Sequence, residues 1–392
     1  MEYNFAIDEM IIKMKKDLIH NGIQAIECGH NGPYYDQETE IRYYAHWCVI
    51  FSEYYKHFQE ESYKMLVRIL ADAMLNSPLM SENYVYKCRE TQNKDVMNGV
   101  IGPAWIIEGF MHAANVLQDD LYYERAVCVF KAQRFNQKMG LWNRVNQHGE
   151  VLSIDATFNH QLWFAAAGSM INQYKVDEDI QNEIDLFIEK LNKNIKVRRN
   201  GRIGHFTRSD KRGAMDGLIL FAKNTVSTVS EMLHRPSLAY KEEGYHLFNL
   251  YGFAILKENY NKEIPFFQTK SFQKTIEHVL SQEYIKNIDS INIKQDITSV
   301  STQLNVPFNV FSYAYNSPAF ELPRVCKAFG ALCNGDWEMI QERFLTKQFQ
   351  DTFDRESSTF KNNTDDEIVL CARVYEFIID NIEYWNKIKP EE

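Results

Sequence analysis

Proline and glycine are scarce, with 9 and 17 copies in 392 residues. So few chain-reversing signals leave little room for the hairpin turns of an all-β sandwich or barrel. Cysteines are odd in number, at Cys28, Cys48, Cys88, Cys128, Cys326, Cys333 and Cys371, with no CxxC and no Cys/His ligand spacing. That pattern gives neither a disulfide framework nor a zinc site; it predicts reduced thiols in a cytoplasmic protein and implies no metal or other cofactor. No long Lys/Arg run interrupts a formal charge of −10, so no basic face offers itself to nucleic acid. No uninterrupted apolar stretch approaches the roughly 20 residues of a membrane span. The opening MEYNFAIDEMIIKMKKDLIH lacks the basic start and continuous apolar core of a signal peptide.

Helical periodicity fills the space those absences leave. Apolar residues recur at three- and four-residue intervals, and this predicts helices over 40–58, 61–76, 98–117, 121–138, 155–174, 177–192, 217–233, 244–258, 269–283, 307–329, 337–345 and 365–387. A motif-rich helix entered from a polar or Gly-containing loop is repeatedly followed by a plainer amphipathic one, with motif-rich starts near 40, 98, 155, 244 and 307. The expected architecture is all-α: one domain over 1–392, an α/α toroid of six helical hairpins or an incomplete version of it. Motif-rich helices would form the inner ring, plainer ones the outer ring, and the loops at one end a pocket. Strand-like pieces at 149–154 and 195–206 read as small hairpins at the rim.

The chain is organised around 153–170, SIDATFNHQLWFAAAGSM. Asp155, Asn159, His160 and Trp163 crowd into little more than two turns before a run of small apolar residues. Polar groups at the mouth of a buried helix need partners or a ligand, so this cluster is expected to face a cavity. Asp155 has three readings: a helix cap, the orienter of His160, or an acid. Trp142 and the Asn143-Arg144 pair precede the stretch.

Three further groups share its design. In 31–46, NGPYYDQETEIRYYAH, the acids Glu38 and Glu40 suit helix capping, while Tyr34, Tyr35, Asp36 and Arg42 are pocket candidates. In 98–108, NGVIGPAWIIE, Gly99 and Gly102 permit close approach, and Trp105 and Glu108 pair a stacking ring with a carboxylate. In 244–252, GYHLFNLYG, Tyr245 and His246 open a helix, and a cation such as Arg235 would tune the tyrosine for proton transfer. The segment 315–324, YNSPAFELPR, adds Asn316 and Glu321, and 201–213, GRIGHFTRSDKRG, is a basic patch or a solvated loop.

FNHQLW at 158–163 together with YHLFNLY at 245–251 resembles the Asn-His and Tyr-His helices of alginate-lyase-like α/α-toroid polysaccharide lyases. The resemblance implies that Asn159 and Arg235 neutralise a uronate carboxylate, His160 supports or performs proton abstraction, and Tyr245 protonates the leaving oxygen. An α-proton becomes removable once the adjacent carboxylate's charge is quenched. The aromatic, Gly-punctuated helices are also similar to those of unsaturated-glucuronyl hydrolases and other α/α-toroid glycosidases. That resemblance implies a carboxylate acid/base, Asp155 first, with Asp36 and Glu108 behind it. Lanthionine-synthetase-like toroids need a Cys and Cys-His zinc set, of which Cys333 is the only echo. A non-catalytic glycan-binding toroid would have a pocket on which Asp155, His160 and Tyr245 do not converge. The resulting expectation is an enzyme cleaving an acidic oligo- or polysaccharide by β-elimination or hydrolysis, with Trp105, Trp142 and Trp163 as stacking surfaces.

Overall fold

Burial divides the helices into two kinds, and that division builds the fold. The computed structural model describes residues 2–91, 94–207, 237–290 and 306–382. Six helices pack side by side and close on themselves: α2 (Glu40–Phe58), α4 (Ile101–Leu117), α6 (Phe158–Tyr174), α9 (His246–Asn259), α12 (Pro318–Phe329) and α15 (Tyr375–Asn381), with α15 returning to α2. In α4 every residue except Asn115 is buried, which is what an inner helix walled on all sides requires. The outer helices bury one stripe. In α7 (Glu178–Asn194) the buried positions are Ile180, Ile184, Phe187, Ile188, Leu191 and Asn194, the three-to-four spacing of a single face.

The outer layer comprises α1 (Glu2–Asn21), α3 (Glu61–Leu75), α5 (Asp120–Ala132), α7, α10 (Lys270–Val279) and α13 (Trp337–Thr352). Except for α1, each of these follows an inner helix in the chain. The sequence reading left 2–21 without a helix, yet Ile7, Met10, Ile11 and Leu18 form a buried stripe at helical spacing. This first helix closes the outer layer: it packs on α3, and its Tyr3 ring lies 4.6 Å from Phe349 of α13. The result is an α/α toroid of six inner and six outer helices among the described residues, with one hydrophobic cluster running from Ile7 to Ile382. No helix among those residues is long and apolar enough to cross a membrane.

Several predicted helices are shorter or split, each for a local reason. The one expected to run to 138 stops at Ala132, because β1 (Arg134–Asn136) pairs antiparallel with β2 (Leu141–Val145), which pairs with β3 (Val151–Ile154). The expected 269–283 helix breaks where the Ser281 side chain caps α11 (Gln282–Ile288). The 307–329 helix begins only at Pro318, where Ser317 accepts from the Phe320 amide. The last candidate divides into α14 (Glu367–Ala372) and α15 at Arg373. Segment 195–206 supplies isolated bridges, Val197 to Ile203 and Thr157 to Phe206. The predicted helix over 217–233 lies outside the described residues.

Close packing of α2 on α4 depends on Gly109. A Cβ there would stand 2.9 Å from the Ala45 Cα, on backbone that cannot swing aside. Gly109→Ala improves intrinsic helix propensity by about 1 kcal/mol but overpacks the ring by about 1–3 kcal/mol. The expected net result is a loss of stability, read as a lower urea midpoint with unchanged slope; a rise in midpoint would refute this account of the α2–α4 contact.

Candidate active site

A cavity of about 270 Å³ opens at the end of the toroid where the inner helices begin. Its wall is built from the entrances to α4 (Asn98, Gly99, Trp105) and α6 (Asp155, Asn159, His160), from Tyr245 and Phe248 at the start of α9, and from Tyr315 and Asn316 before α12. Arg373, just before α15, and Tyr34 and Asp36, from the loop before α2, complete the ring.

Asp155 ties two of these entrances together. Its Oδ2 accepts from the Val100 amide at 3.0 Å and its Oδ1 from the Thr157 amide at 3.0 Å, the residues preceding α4 and α6. Oδ2 also lies 2.7 Å from His160 Nδ1. Burial pushes the Asp155 carboxyl up, but the His160 ring and the two amides outweigh it and bring it down to about 2. An ionised carboxylate only accepts, so His160 Nδ1 carries the proton and donates, leaving the Nε2 lone pair without a protein partner. The His160 side chain is 21% exposed and lines the cavity. Close approach here needs a glycine: Gly99 sits at φ +65, and a Cβ on it would fall 2.1 Å from Asp155 Oδ2 and 2.5 Å from His160 Nδ1.

Opposite chemistry comes from phenols. Tyr245 and Tyr34 share a hydrogen bond at 2.8 Å, and the Tyr315 hydroxyl donates to Asn31 Oδ1 at 2.6 Å. Burial and the neighbouring phenols hold Tyr245 well above the usual tyrosine range. Tyr245 is therefore a neutral donor near pH 7, and Arg235, the cation expected to tune it, lies outside the described residues. Two buried amide atoms on the cavity wall have no protein partner, Asn159 Oδ1 and Asn316 Nδ2; Asn316 Oδ1 accepts from Arg373 Nη1 at 2.6 Å. Asp36 is held by Lys94 at 2.6 Å and Arg89 at 3.2 Å.

Of the predicted residues, Asp155, Asn159, His160, Tyr245, Tyr34, Asp36, Trp105 and Asn316 therefore share one cavity. Six others do not line it, the first being Tyr35, whose ring is stacked on His30 with centroids 4.6 Å apart. Arg42 lies behind the wall, its guanidinium 4.1 Å from the Trp105 ring and paired with Glu38 at 2.8 Å; Glu38 is thus a partner for Arg42 and the Tyr43 hydroxyl. Glu108 points into the ring interior, where the Tyr375 hydroxyl donates to it at 3.4 Å and burial raises its carboxyl to about 8. Trp142 fills the space between inner and outer layers against Phe130, Phe164 and Phe187, with Nε1 donating to Glu183. Trp163 welds α6 to α9, stacked 4.7 Å from Phe248 and donating to its carbonyl. His246 faces away from the cavity, donating to the Thr275 carbonyl at 2.9 Å; burial lowers it to about 3. A tryptophan or histidine that packs a core has the same sequence signature as one that lines a pocket.

Sequence reasoning passed over Lys241, Arg89, Lys94, Asp95, Arg373 and His205, all on the cavity wall. Arg373 carried a usable signal, a cation in the otherwise apolar run IVLCARVY. Lys241 was masked by Glu242 and Glu243, which make the segment read as a solvated face.

No family model matches the chain. The archaeal glycosylation protein Q of Haloferax volcanii is 30% identical over 365 residues, covering 90% of this chain and 91% of that protein. Among solved structures, the cellobiose 2-epimerase of Spirochaeta thermophila DSM 6192 superposes with a TM-score of 0.61 at 10% identity, over 97% of this chain and 98% of its own. An unsaturated glucuronyl hydrolase specific for heparin gives a TM-score of 0.54 at 10% identity, over 98% and 100%. Family 76 glycoside hydrolases and a polysaccharide lyase share the same fold. At these identities the likeness establishes the architecture, an α/α toroid, and nothing beyond it.

The Asp155 geometry predicts a pH signature. Its carboxyl is depressed in the folded state, so its stabilisation is complete above the unfolded value of about 3.9 and is lost as pH falls toward about 2. Asp155→Asn is expected to cost about 2 kcal/mol at pH 7 in urea unfolding, with the gap narrowing as pH drops from 5 to 3. A gap that stays constant over that range would show that Asp155 is not held as described.

Proposed function

This chain belongs to the family of the archaeal glycosylation protein Q, and from that membership we propose that it is a carbohydrate-active enzyme cleaving an acidic, uronate-containing oligo- or polysaccharide by β-elimination. The observation that carries the reading is the 2.7 Å contact between His160 Nδ1 and Asp155 Oδ2, which turns a basic Nε2 toward the cavity that also holds the Tyr245 phenol. A base and a neutral donor facing one space are the two groups that a syn or anti elimination needs.

In this reading His160 Nε2 takes the proton from the ring carbon bearing the carboxylate. The electron pair left behind becomes the new carbon–carbon double bond, and the bond from the neighbouring carbon to the glycosidic oxygen breaks. Tyr245 gives its hydroxyl proton to the departing oxygen, and the proton gained by His160 returns through solvent to restore the phenol. Asn159 is positioned for the uronate group, Trp105 offers the ring face for stacking, and Asp36, Tyr34 and Asn316 hold the sugar's hydroxyls. Asp155 orients His160. The family name of the relative, a glycosylation protein, fits a carbohydrate substrate. We read residues 1–392 as one catalytic domain, in the cytoplasmic setting suggested by the scattered thiols.

Hydrolysis is the second reading. It needs a carboxyl that stays protonated near neutral pH, and Asp155 at about 2 is a poor candidate. Asp36 and Asp95 are each ion-paired, to Arg89 and Lys94 and to Arg89 and Arg144. The convergence of Asp155, His160 and Tyr245 on one cavity also favours an enzyme over a passive glycan-binding toroid.

Incubation with uronate glycans in deuterated water tests both the proton step and its outcome. A rise in ultraviolet absorbance from the conjugated product is expected, reduced roughly 10²–10⁴-fold by His160→Ala and by Tyr245→Phe. Deuterium uptake without an absorbance rise would replace elimination by epimerisation. Product formation that survives His160→Ala but not Asp155→Asn would transfer the assignment to hydrolysis.

A further inference from the structure

The cations around the cavity are not equivalent. Arg89 contacts Asp36 and Asp95 at 3.2 Å each, Lys94 contacts Asp36 at 2.6 Å, and Arg144 contacts Asp95 at 3.0 Å. Arg373 is backed by Glu321 at 2.7 Å and Glu376 at 2.8 Å. Among the described lysines and arginines of the wall, Lys241 alone has no carboxylate partner. Its Nζ stands 4.6 Å from the Tyr34 ring centroid and 5.8 Å from those of Tyr245 and Phe311.

Local helix geometry explains this isolation. Lys241 lies on α8 (Ser237–Gly244) beside two glutamates that would ordinarily compensate it. Successive helical residues point about 100° apart, and both acids turn the other way. Glu242 is taken by Arg198 at 2.6 Å and Arg202 at 3.0 Å, and Glu243 by Arg202 at 3.0 Å and His278 at 2.8 Å. Gly244 packs so tightly on Phe311 that a Cβ would fall 2.3 Å from that side chain, which fixes the helix against the wall.

We propose that Lys241 receives the carboxylate of an acidic sugar, flanked by the Tyr34–Tyr245 phenol pair, and so selects uronates over neutral sugars. The assignment rests on the acidic-carbohydrate reading above and adds the residue that would enforce it. One uncompensated ammonium matches one negative charge, and a carboxylate supplies that charge. A half-buried cation without a counter-ion is costly, and the free protein answers that cost by loosening the proton. Burial, then repulsion from Lys94, lowers Lys241 to about 7. The other titratable groups on this part of the wall are Tyr34, Tyr245, Tyr315, Asp36 and His205; Asp36 is committed to Lys94 and Arg89. An arriving carboxylate favours the charged amine and raises its pKa. Binding above pH 7 therefore takes up a proton, and affinity falls toward tenfold per pH unit.

Calorimetric titration of full-length protein carrying His160→Ala separates the possibilities, using a uronate disaccharide and its carboxyl-reduced counterpart as probes. Adding Lys241→Met is expected to weaken uronate binding about 10- to 100-fold, to leave the reduced sugar unaffected, and to abolish proton uptake measured at pH 8 in buffers of different ionisation enthalpy. Lys241→Arg should keep most of the affinity, which distinguishes a lost charge from a lost fold. Equal uronate binding and equal proton uptake in the Lys241→Met protein would overturn the assignment while leaving the acidic-carbohydrate reading intact. Absence of uronate binding before Lys241 is altered would overturn both.

Discussion

The carboxylate of Asp155 is the constraint on which the site depends. It accepts from the amides that open two neighbouring inner helices and from the imidazole between them. Helix amides at an N-terminus are unsatisfied donors with a positive end, and none of the residues preceding α2, α4, α6 or α9 caps them with its own side chain. Borrowing a carboxylate from the preceding strand end satisfies two of those donors and fixes the histidine tautomer in the same step. Position and tautomer are therefore set by one group, and Gly99 leaves room for it.

A second constraint comes from closing six helices into a ring. Along most of their length the inner helices are walled on all sides, so the polar side chains buried there must be answered within the ring or at its open end. Arg373 on the cavity wall is backed from within the ring by Glu321 and Glu376, and deeper in the ring Glu108 meets Tyr375. Burial raises the carboxyls of Glu108, Glu321 and Glu376 despite these partners, as expected where desolvation outweighs pairing. At the open end the accounting is left incomplete. Asn159 Oδ1 and Asn316 Nδ2 are buried without partners, and Lys241 has no counter-ion. Orphaned atoms also occur in the interior, Glu108 Oε1, Glu321 Oε2 and both His46 ring nitrogens among them; what marks the rim is that its orphans border a cavity that a polar ligand can enter.

The toroid alone does not choose a reaction. Epimerases, glycoside hydrolases and a polysaccharide lyase share this architecture with the present chain at identities near 10%. What distinguishes chemistries on such a scaffold is which side chains the inner helix mouths present and how their protons are held. Here the mouths present an oriented histidine, neutral phenols and an unpaired lysine, the set on which the proposed proton transfers rest. The same helices, carrying the same residues one turn deeper, would serve only packing, as Glu108 and Trp163 do.

By itself the sequence determined the helical periodicity, the alternation of motif-rich and plain helices, and the placing of polar residues at the helix entrances near 153–160 and 245. These are local properties: three- and four-residue spacing, and polar groups set at a helix entrance, are written in adjacent residues. The position of α1 in the outer layer was decided by tertiary structure, because its partners Phe349 and Thr346 lie more than 300 residues away. So was the fate of the tryptophans. Trp105 lines the cavity, while Trp142 and Trp163 fill the body of the toroid, and a ring's sequence neighbours do not say which side of a helix meets empty space. The roles of the charges were decided the same way. Lys241 stands alone because Arg198, Arg202 and His278, remote in the chain, claim the acids beside it, and only the folded ring brings those competitors within reach.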